Sequence, residues 1–348
     1  MKKTLAILLA LVLALGCLAG CGNGGGETQG GAAGEASGEL NIYTTVSELQ
    51  YNALVGAFQE KYPNIKINFT QAGAGDCKSR IKAEADNPQG DVMFGGLVYA
   101  DTLSMKEYFE EYISVNNDKL PEEFQNNTGV LTYHDTQIPC LWVNDELEKE
   151  AGVTITSYAD LLNPALAGKV ISADPTASSS AWNQLQCILT DFGGWESADA
   201  WDYIKKLIAN DLVVQDSSSA VYKSVFNGEY VCGLTYEPAC IQMLSEGAEG
   251  VHMVYPTEGV TSVAFGSAII KGAKNLENAK LFIDFLISDE GQAIYNECGA
   301  RQANSNLKVE NELMVDLSTI KYNVADTEAL ARNQAAIHDL WRDAAKQQ

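Results

Sequence analysis

Leu40-Asn41-Ile42-Tyr43, then Thr44-Thr45-Val46, then Ser47-Glu48-Leu49-Gln50 is the stretch on which the fold turns. The first four residues read as a strand, the threonine-rich segment as a turn, and Ser47 with Gln50 three positions later as a capping box that starts a helix. Its buried stripe is predicted as Leu49, Ala53, Leu54, Ala57 and Phe58, stopping before Pro63. Ile65-Lys66-Ile67-Asn68-Phe69 is the next strand, so the chain opens on a βαβ unit.

The pattern then repeats. Ala72-Gly73-Ala74-Gly75-Asp76 leads into a helix carrying Ile81 and Ala85 that ends near Asn87-Pro88, and Asp91-Val92-Met93-Phe94 is a strand running into Gly95-Gly96. Further on, Lys169-Val170-Ile171-Ser172 is a strand, Ala173 to Ser180 a polar loop, and Trp182, Leu185, Ile188 and Leu189 one face of a helix. Tyr230 to Leu234 is another strand, followed by Thr235-Tyr236-Glu237-Pro238, where proline suits a first helical turn. Leu276, Ala279, Phe282, Ile283 and Leu286 mark a long amphipathic helix that Ser288-Asp289-Glu290-Gly291 punctuates. The expected class is α/β, layered around a largely parallel sheet.

The 348 residues, 46% of them apolar, suffice for two domains. A net charge of −23, with no stripe of basic residues, argues against nucleic acid. His134, His252 and His338 sit in no zinc or haem motif, which leaves little material for metal chemistry, and no cofactor is expected. Gly73-x-Gly75-x-x-Lys78 has lysine where a dinucleotide fold needs its third glycine, and neither a P-loop nor a G-x-S-x-G elbow occurs.

Residues 1–20 read as an export signal: Lys2 and Lys3, then an apolar run from Leu5 to Leu15 too short to span a bilayer. Leu18-Ala19-Gly20-Cys21 resembles a lipobox, which makes Cys21 the expected lipidated residue; Ala14-Leu15-Gly16 before Cys17 fits less well. Residues 21–38 are glycine-rich and read as a tether reaching about 20–25 Å. The expected location is therefore the outer face of the cell membrane, on a lipid anchor. Cys77, Cys140, Cys187, Cys232, Cys240 and Cys298 mostly lie in apolar stretches, and buried free thiols are favoured over bridges.

Open α/β sheets bind ligands beyond the carboxyl ends of their strands. Three segments fall there: Thr44, Thr45 and Ser47; Gly73, Ala74, Gly75 and Asp76; and Thr176, Ser178, Ser179 and Ser180. Each brings hydroxyls or bare N–H groups to a helix start, which captures anions without lysine. Gly96, Tyr236, Glu237 and Arg301 complete the candidate set, Arg301 as a two-pronged anion partner preferred over Arg80.

Together with the lipobox, Tyr43-Thr44-Thr45, Gly75-Asp76 through Asn87-Pro88-Gln89-Gly90-Asp91-Val92 to Gly95-Gly96, Asp174-Pro175-Thr176-Ala177-Ser178-Ser179, and Phe282 to Gln292 resemble an extracellular solute-binding protein of an ABC importer, in the branch that takes ferric iron, phosphonates and sugar phosphates. The resemblance implies a type II periplasmic-binding-protein fold: residues 39–137 and 258–348 in one lobe, 138–257 in the other, two crossover strands, and a solute caught between. It further implies a monomer, ABC permease subunits as partners, and no catalysis. The expected solute is a phosphorylated or phosphonate organic anion. Ferric iron on Tyr236 and Glu237 is the alternative, although only one tyrosine stands where iron-binding relatives have adjacent ones; a polyamine, a carboxylate or a sensor role are further ones.

Overall fold

The computed structural model describes residues 36–304, 307 and 311–346; the export signal, Cys21 and nearly all of the tether lie outside the described residues. The first run of elements is β1 (Ser37–Thr44), α1 (Glu48–Lys61), β2 (Asn64–Gln71), α2 (Ala74–Ala83), β3 (Val92–Leu97), α3 (Tyr99–Met105) and β4 (Thr132–Gln137). The second is β5 (Pro139–Asn144), α4 (Asp145–Ala151), β6 (Val170–Ala173), α5 (Ser179–Asp191), α6 (Ala198–Ala209), β7 (Val213–Gln215), α7 (Ser218–Phe226), β8 (Cys232–Tyr236), α8 (Glu237–Ser245) and β9 (Val251–Val254). The third is β10 (Val263–Ile269), α9 (Leu276–Leu286), α10 (Asp289–Glu297), β11 (Arg301–Gln302), α11 (Thr327–Arg332) and α12 (Gln334–Ala345).

These strands form two sheets, ordered β11-β4-β10-β3-β1-β2 and β7-β6-β8-β5-β9. The chain passes from the first to the second at Ile138, and returns between Val254 and Val263. The expectation of a largely parallel sheet is corrected: β1 runs parallel to β2 and β3, and β6 to β7 and β8, whereas β10, β4, β11, β5 and β9 pair antiparallel. The βαβ units supply the parallel pairs. A strand returning from the other sheet enters in the opposite sense, and β10 inserts between β3 and β4 that way.

Side-chain alternation explains why each sheet is covered on both faces. In the first, Leu40, Ile42, Val92 and Phe94 pack under α1 and α9, while Tyr43 and Met93 face the cluster of Cys77, Ile81 and Met105. In the second, Leu141 and Val143 face α5 and α6, and Cys140 and Trp142 face α7 and α8. Phe58 is fully buried, edge-on to Phe282 at 5.2 Å and to Phe285 at 5.6 Å. Asp91 ties the layers: its buried carboxylate accepts from the backbone N–H and the amide of both Asn41 and Asn275, at 2.8–3.0 Å.

Some sequence expectations shift. Ser47 caps α1 by accepting from the Gln50 N–H at 3.3 Å, but the buried face is Gln50, Tyr51, Leu54, Val55 and Phe58, and Leu49 is exposed; Tyr51 is covered by Phe69, with ring centroids 4.2 Å apart. Ser37 and Gly38, assigned to the tether, already pair in β1 with Asn64 and Ile65. Within residues 258–348, α12 lays Ile337, Trp341 and Ala344 into the same apolar cluster as Trp182, Trp201, Ile204 and Leu207 of α5 and α6. Helix α12 is amphipathic, and its apolar face needs a partner wherever one is uncovered. The six cysteines are all buried and free; Cys140 and Cys240 bring their sulfurs to 3.6 Å.

Candidate functional site

Between the two sheets lies a cleft of about 840 Å³, on the side where β1, β2, β6, β7 and β8 end. Five helices begin at its edge. Their N-cap residues Ser47, Gly73, Ser178, Ser217 and Tyr236 all line it. A helix start leaves backbone N–H groups unpaired and concentrates about half a positive charge, so the rim is rich in donors.

The five starts are not equivalent. Helices α1, α2 and α8 carry their own carboxylate in the first turn, Glu48, Asp76 and Glu237 respectively. Helices α5 and α7 have none, and each opens on a serine run. The two runs meet: the Ser178 hydroxyl donates to Ser218 Oγ at 3.3 Å, Ser178 and Ser180 are 3.0 Å apart at Oγ, and Ser217 and Ser219 are 2.8 Å apart. Lys223, one turn into α7, is the only basic side chain among the described residues lining the cleft.

Of the residues singled out from sequence, Thr45, Ser47, Gly73, Ala74, Gly75, Asp76, Gly96, Ser178, Ser179, Ser180 and Tyr236 line this cleft. Four do not. Thr44 is fully buried, its hydroxyl donating to the Phe94 carbonyl and accepting from Val46 N–H, because strand alternation turns it under the sheet. Thr176 faces a smaller cavity of about 170 Å³ behind the loop, beside Lys78, Asp101 and His338. Glu237 and Arg301 satisfy each other: Arg301 Nε and Nη2 donate to the fully buried carboxylate at 2.7 and 2.8 Å, Tyr255 donates to it at 2.5 Å, and Arg301 Nη2 also reaches the Val315 carbonyl. Arg301 is therefore a fixed link between β11 and the start of α8, not a free fork for a solute.

Close packing at the cleft depends on glycine, within the first-sheet wall at Gly95 and Gly96 and between the walls at Gly75. Gly95 and Gly96 have φ of +78° and +73°, and a Cβ on either would stand 2.6 Å from Val46 or Thr45. The Gly96 carbonyl accepts from the Ser179 hydroxyl at 2.9 Å across the cleft, and a Cβ on Gly75 would meet the Ala177 carbonyl at 3.2 Å. Ser179 thus spends its proton on the opposite wall.

Sequence reading missed Ser217, Ser218, Ser219 and Lys223, and also Asp135, Gln137 and Tyr295 at the inner end. The run Asp216-Ser217-Ser218-Ser219 ahead of Val221 and Val225 repeats the signal of Ser178-Ser179-Ser180 and could have been found; Asp135 and Tyr295 carry no motif. Burial, then the nearby Tyr222, Cys240 and Asp135, pushes the Tyr236 phenol well above its ordinary range, so it keeps its proton at neutral pH. One grouping has the order of a hydrolytic triad: Ser267 Oγ lies 2.8 Å from His134 Nε2, and His134 Nδ1 lies 2.8 Å from Asp135 Oδ1, the latter outside hydrogen-bond geometry. Ser267 and His134 are fully buried and do not line the cleft, and Ser267 Oγ already accepts from Gly95 N–H, so this serine is sealed from any solute.

The architecture matches known proteins over most of its length. It superposes on the periplasmic binding protein AfuA of Actinobacillus pleuropneumoniae, described with exogenous fructose-6-phosphate bound, with a TM-score of 0.80 and 28% identity over 89% of this chain and 99% of that one. The periplasmic binding protein P5PA gives 0.78 and 27% over 89% and 100%. A probable ABC transporter periplasmic-binding protein of Sinorhizobium fredii is 25% identical over 244 residues, 69% of this chain and 67% of its own. Two α/β sheets joined by two crossings over a shared cleft are the type II periplasmic-binding-protein fold, as these likenesses agree. The family model for bacterial extracellular solute-binding proteins matches residues 41–301, most of both sheets and every helix start at the cleft, and the chain belongs to that family.

Proposed function

We propose that this solute-binding component of an ABC transporter captures a small organic anion bearing a phosphoryl or phosphonyl group, and seats that group between the starts of α5 and α7. One observation carries the reading: these are the two helix starts at the cleft with no carboxylate in their first turns, they are joined through Ser178 and Ser218, and Lys223, in the last turn of α7, lines the same cleft. An oxyanion there can accept from first-turn N–H groups and from the serine hydroxyls whose protons are not spent on Ser218 Oγ and the Gly96 carbonyl, and meets two helix dipoles at once. The likeness to AfuA, described with a sugar phosphate bound, supports it. The cleft's other charged side chains, Glu48, Asp76, Asp135, Asp216 and Glu246, are acidic, so selection works by local donors and not by a positive field.

In the same reading the protein binds and releases without chemistry and hands its solute to permease subunits. It works as a monomer on a lipid carried by Cys21. Among the described residues no helix is long and apolar enough to cross a membrane. The iron reading is weakened because Glu237, the carboxylate it paired with Tyr236, is committed to Arg301.

A thermal-shift screen of the purified chain against fructose 6-phosphate, (2-aminoethyl)phosphonate, ferric citrate and spermidine tests the proposal. A ligand at 100 times its Kd adds about 2.7 kcal/mol of stability. A phosphorylated or phosphonate compound is expected to give the largest shift. A response to ferric citrate that Tyr236→Phe abolishes would replace the anion by iron.

A further inference from the structure

The inner end of the cleft is built differently from its serine-lined rim. Asp135 on β4 and Phe265 on β10 are direct cross-strand partners, so their side chains share one face of the first sheet, with Gln137 two residues along on the same face. Tyr295 of α10 reaches this place from behind, its ring stacked on His134 with centroids 4.9 Å apart. All four residues line the cleft.

Their hydrogen-bonding capacity is not used up. The Tyr295 hydroxyl is fully buried and has neither donor nor acceptor. Asp135 is 3% exposed and, among the described residues, its carboxylate receives Gln137 Nε2 at 3.2 Å and faces the misaligned His134 Nδ1 at 2.8 Å. Asp135 Oδ1 lies 2.8 Å from the same His134 ring on which Tyr295 is stacked, so carboxylate and phenol flank one imidazole, yet no hydrogen bond joins them. Buried hydroxyls are as a rule hydrogen-bonded, so an unpaired one lining a ligand cleft points to a partner brought by the solute.

The missing partner has a defined chemistry. Asp135 can only accept, whereas the proton of Tyr295 needs an acceptor. An alcohol satisfies both at once, donating to Asp135 while its oxygen accepts from Tyr295. An ammonium group donates to Asp135 but offers the Tyr295 proton nothing. We infer that Asp135 and Tyr295 form a hydroxyl-reading subsite, and that the solute is a polyol phosphate whose hydroxyls lie at the inner end while its phosphate lies between α5 and α7. This rests on the anion seat proposed above and adds the opposite end of the ligand.

Calorimetry on the full chain with four probes separates the two claims: fructose 6-phosphate, ethyl phosphate, (2-aminoethyl)phosphonate and free fructose. Fructose 6-phosphate is expected to bind at least tenfold more tightly than ethyl phosphate or the aminophosphonate. Tyr295→Phe, which keeps the stacked ring, should reduce that preference about tenfold and leave ethyl phosphate unchanged. Asp135→Asn, nearly isosteric, should lower fructose 6-phosphate binding by a similar factor. Equal affinity for fructose 6-phosphate and ethyl phosphate, a preference for the aminophosphonate, or a uniform loss across all probes in Tyr295→Phe would each overturn the subsite while leaving the anion seat standing. Binding of free fructose as tight as its phosphate, and weakened by Tyr295→Phe, would sink the anion seat and keep the subsite. Failure of all four to bind would overturn both.

Discussion

The two walls of the cleft use the same device, a helix start after a strand, and differ in what answers it. On the first-sheet wall, α1 and α2 bring Glu48 and Asp76 in their own first turns; on the second-sheet wall, α8 brings Glu237, but α5 and α7 have serines and no carboxylate in their first turns. A built-in carboxylate meets the dipole and repels a second anion, whereas a serine run leaves the N–H groups for a ligand and adds hydroxyls to them. The difference teaches that a glycine- or hydroxyl-rich helix start is not a binding site in itself. What decides is whether the helix has already neutralised its own end.

The largest effect is expected at α8, whose first-turn carboxylate is the deepest. Arg301→Ala leaves Glu237 buried without its cation, and should cost about 3–5 kcal/mol of stability. Urea denaturation measures it; a loss under 1 kcal/mol would mean that Tyr255 and water suffice.

Exchanging the two kinds of wall tests the comparison most directly. Ser218→Asp puts a carboxylate in the first turn of α7 and should lower affinity for the best phosphorylated ligand about ten- to a hundredfold, by repulsion and by loss of a hydrogen bond to a charged group. Asp76→Ser, the converse on α2, should leave affinity within about threefold. If calorimetry finds the two losses reversed, the anion sits on the first-sheet wall.

Gly75→Leu probes the contact between walls instead of their charge. Its Cβ would press on the Ala177 carbonyl, and overpacking of this kind costs about 1–3 kcal/mol, so binding of a ligand that needs the walls together should weaken about tenfold or more. Unchanged affinity would show that the 75–177 approach is not needed in the bound state. The smallest effect belongs to Lys223→Ala. This exposed cation should contribute only a few-fold to affinity, and the difference should shrink between 0.05 and 0.5 M salt. A salt-independent loss would point to a direct hydrogen bond rather than to a screened charge.

Much of this molecule is legible along the chain. The Leu40 to Gln50 stretch specifies a strand, a turn and a capped helix through contacts no further than a few residues, and Ser178 and Ser288 do the same for α5 and α10. Local chemistry also placed three of the loops at the cleft, since a segment between a strand end and a helix start has only one end of an α/β layer to occupy. It could not tell that Glu237 and Arg301, 64 residues apart, would consume each other's charge. Nor could it tell that Thr44 would turn under the sheet.

Sequence by itself therefore determined the layered α/β class, the helix starts and the donor-rich character of the cleft, because these rest on short-range periodicity and capping; its motifs, separately, carried the resemblance to the family. Only the tertiary structure decided which starts were already neutralised, where the antiparallel β10 inserts, that α12 covers α5 and α6, and that Asp135 and Tyr295 both line the cleft while no hydrogen bond reaches the Tyr295 hydroxyl. Those outcomes depend on which groups, distant in the chain, arrive within about 3 Å of one another, and a hydrogen bond or an ion pair is settled at that distance and not by spacing in sequence.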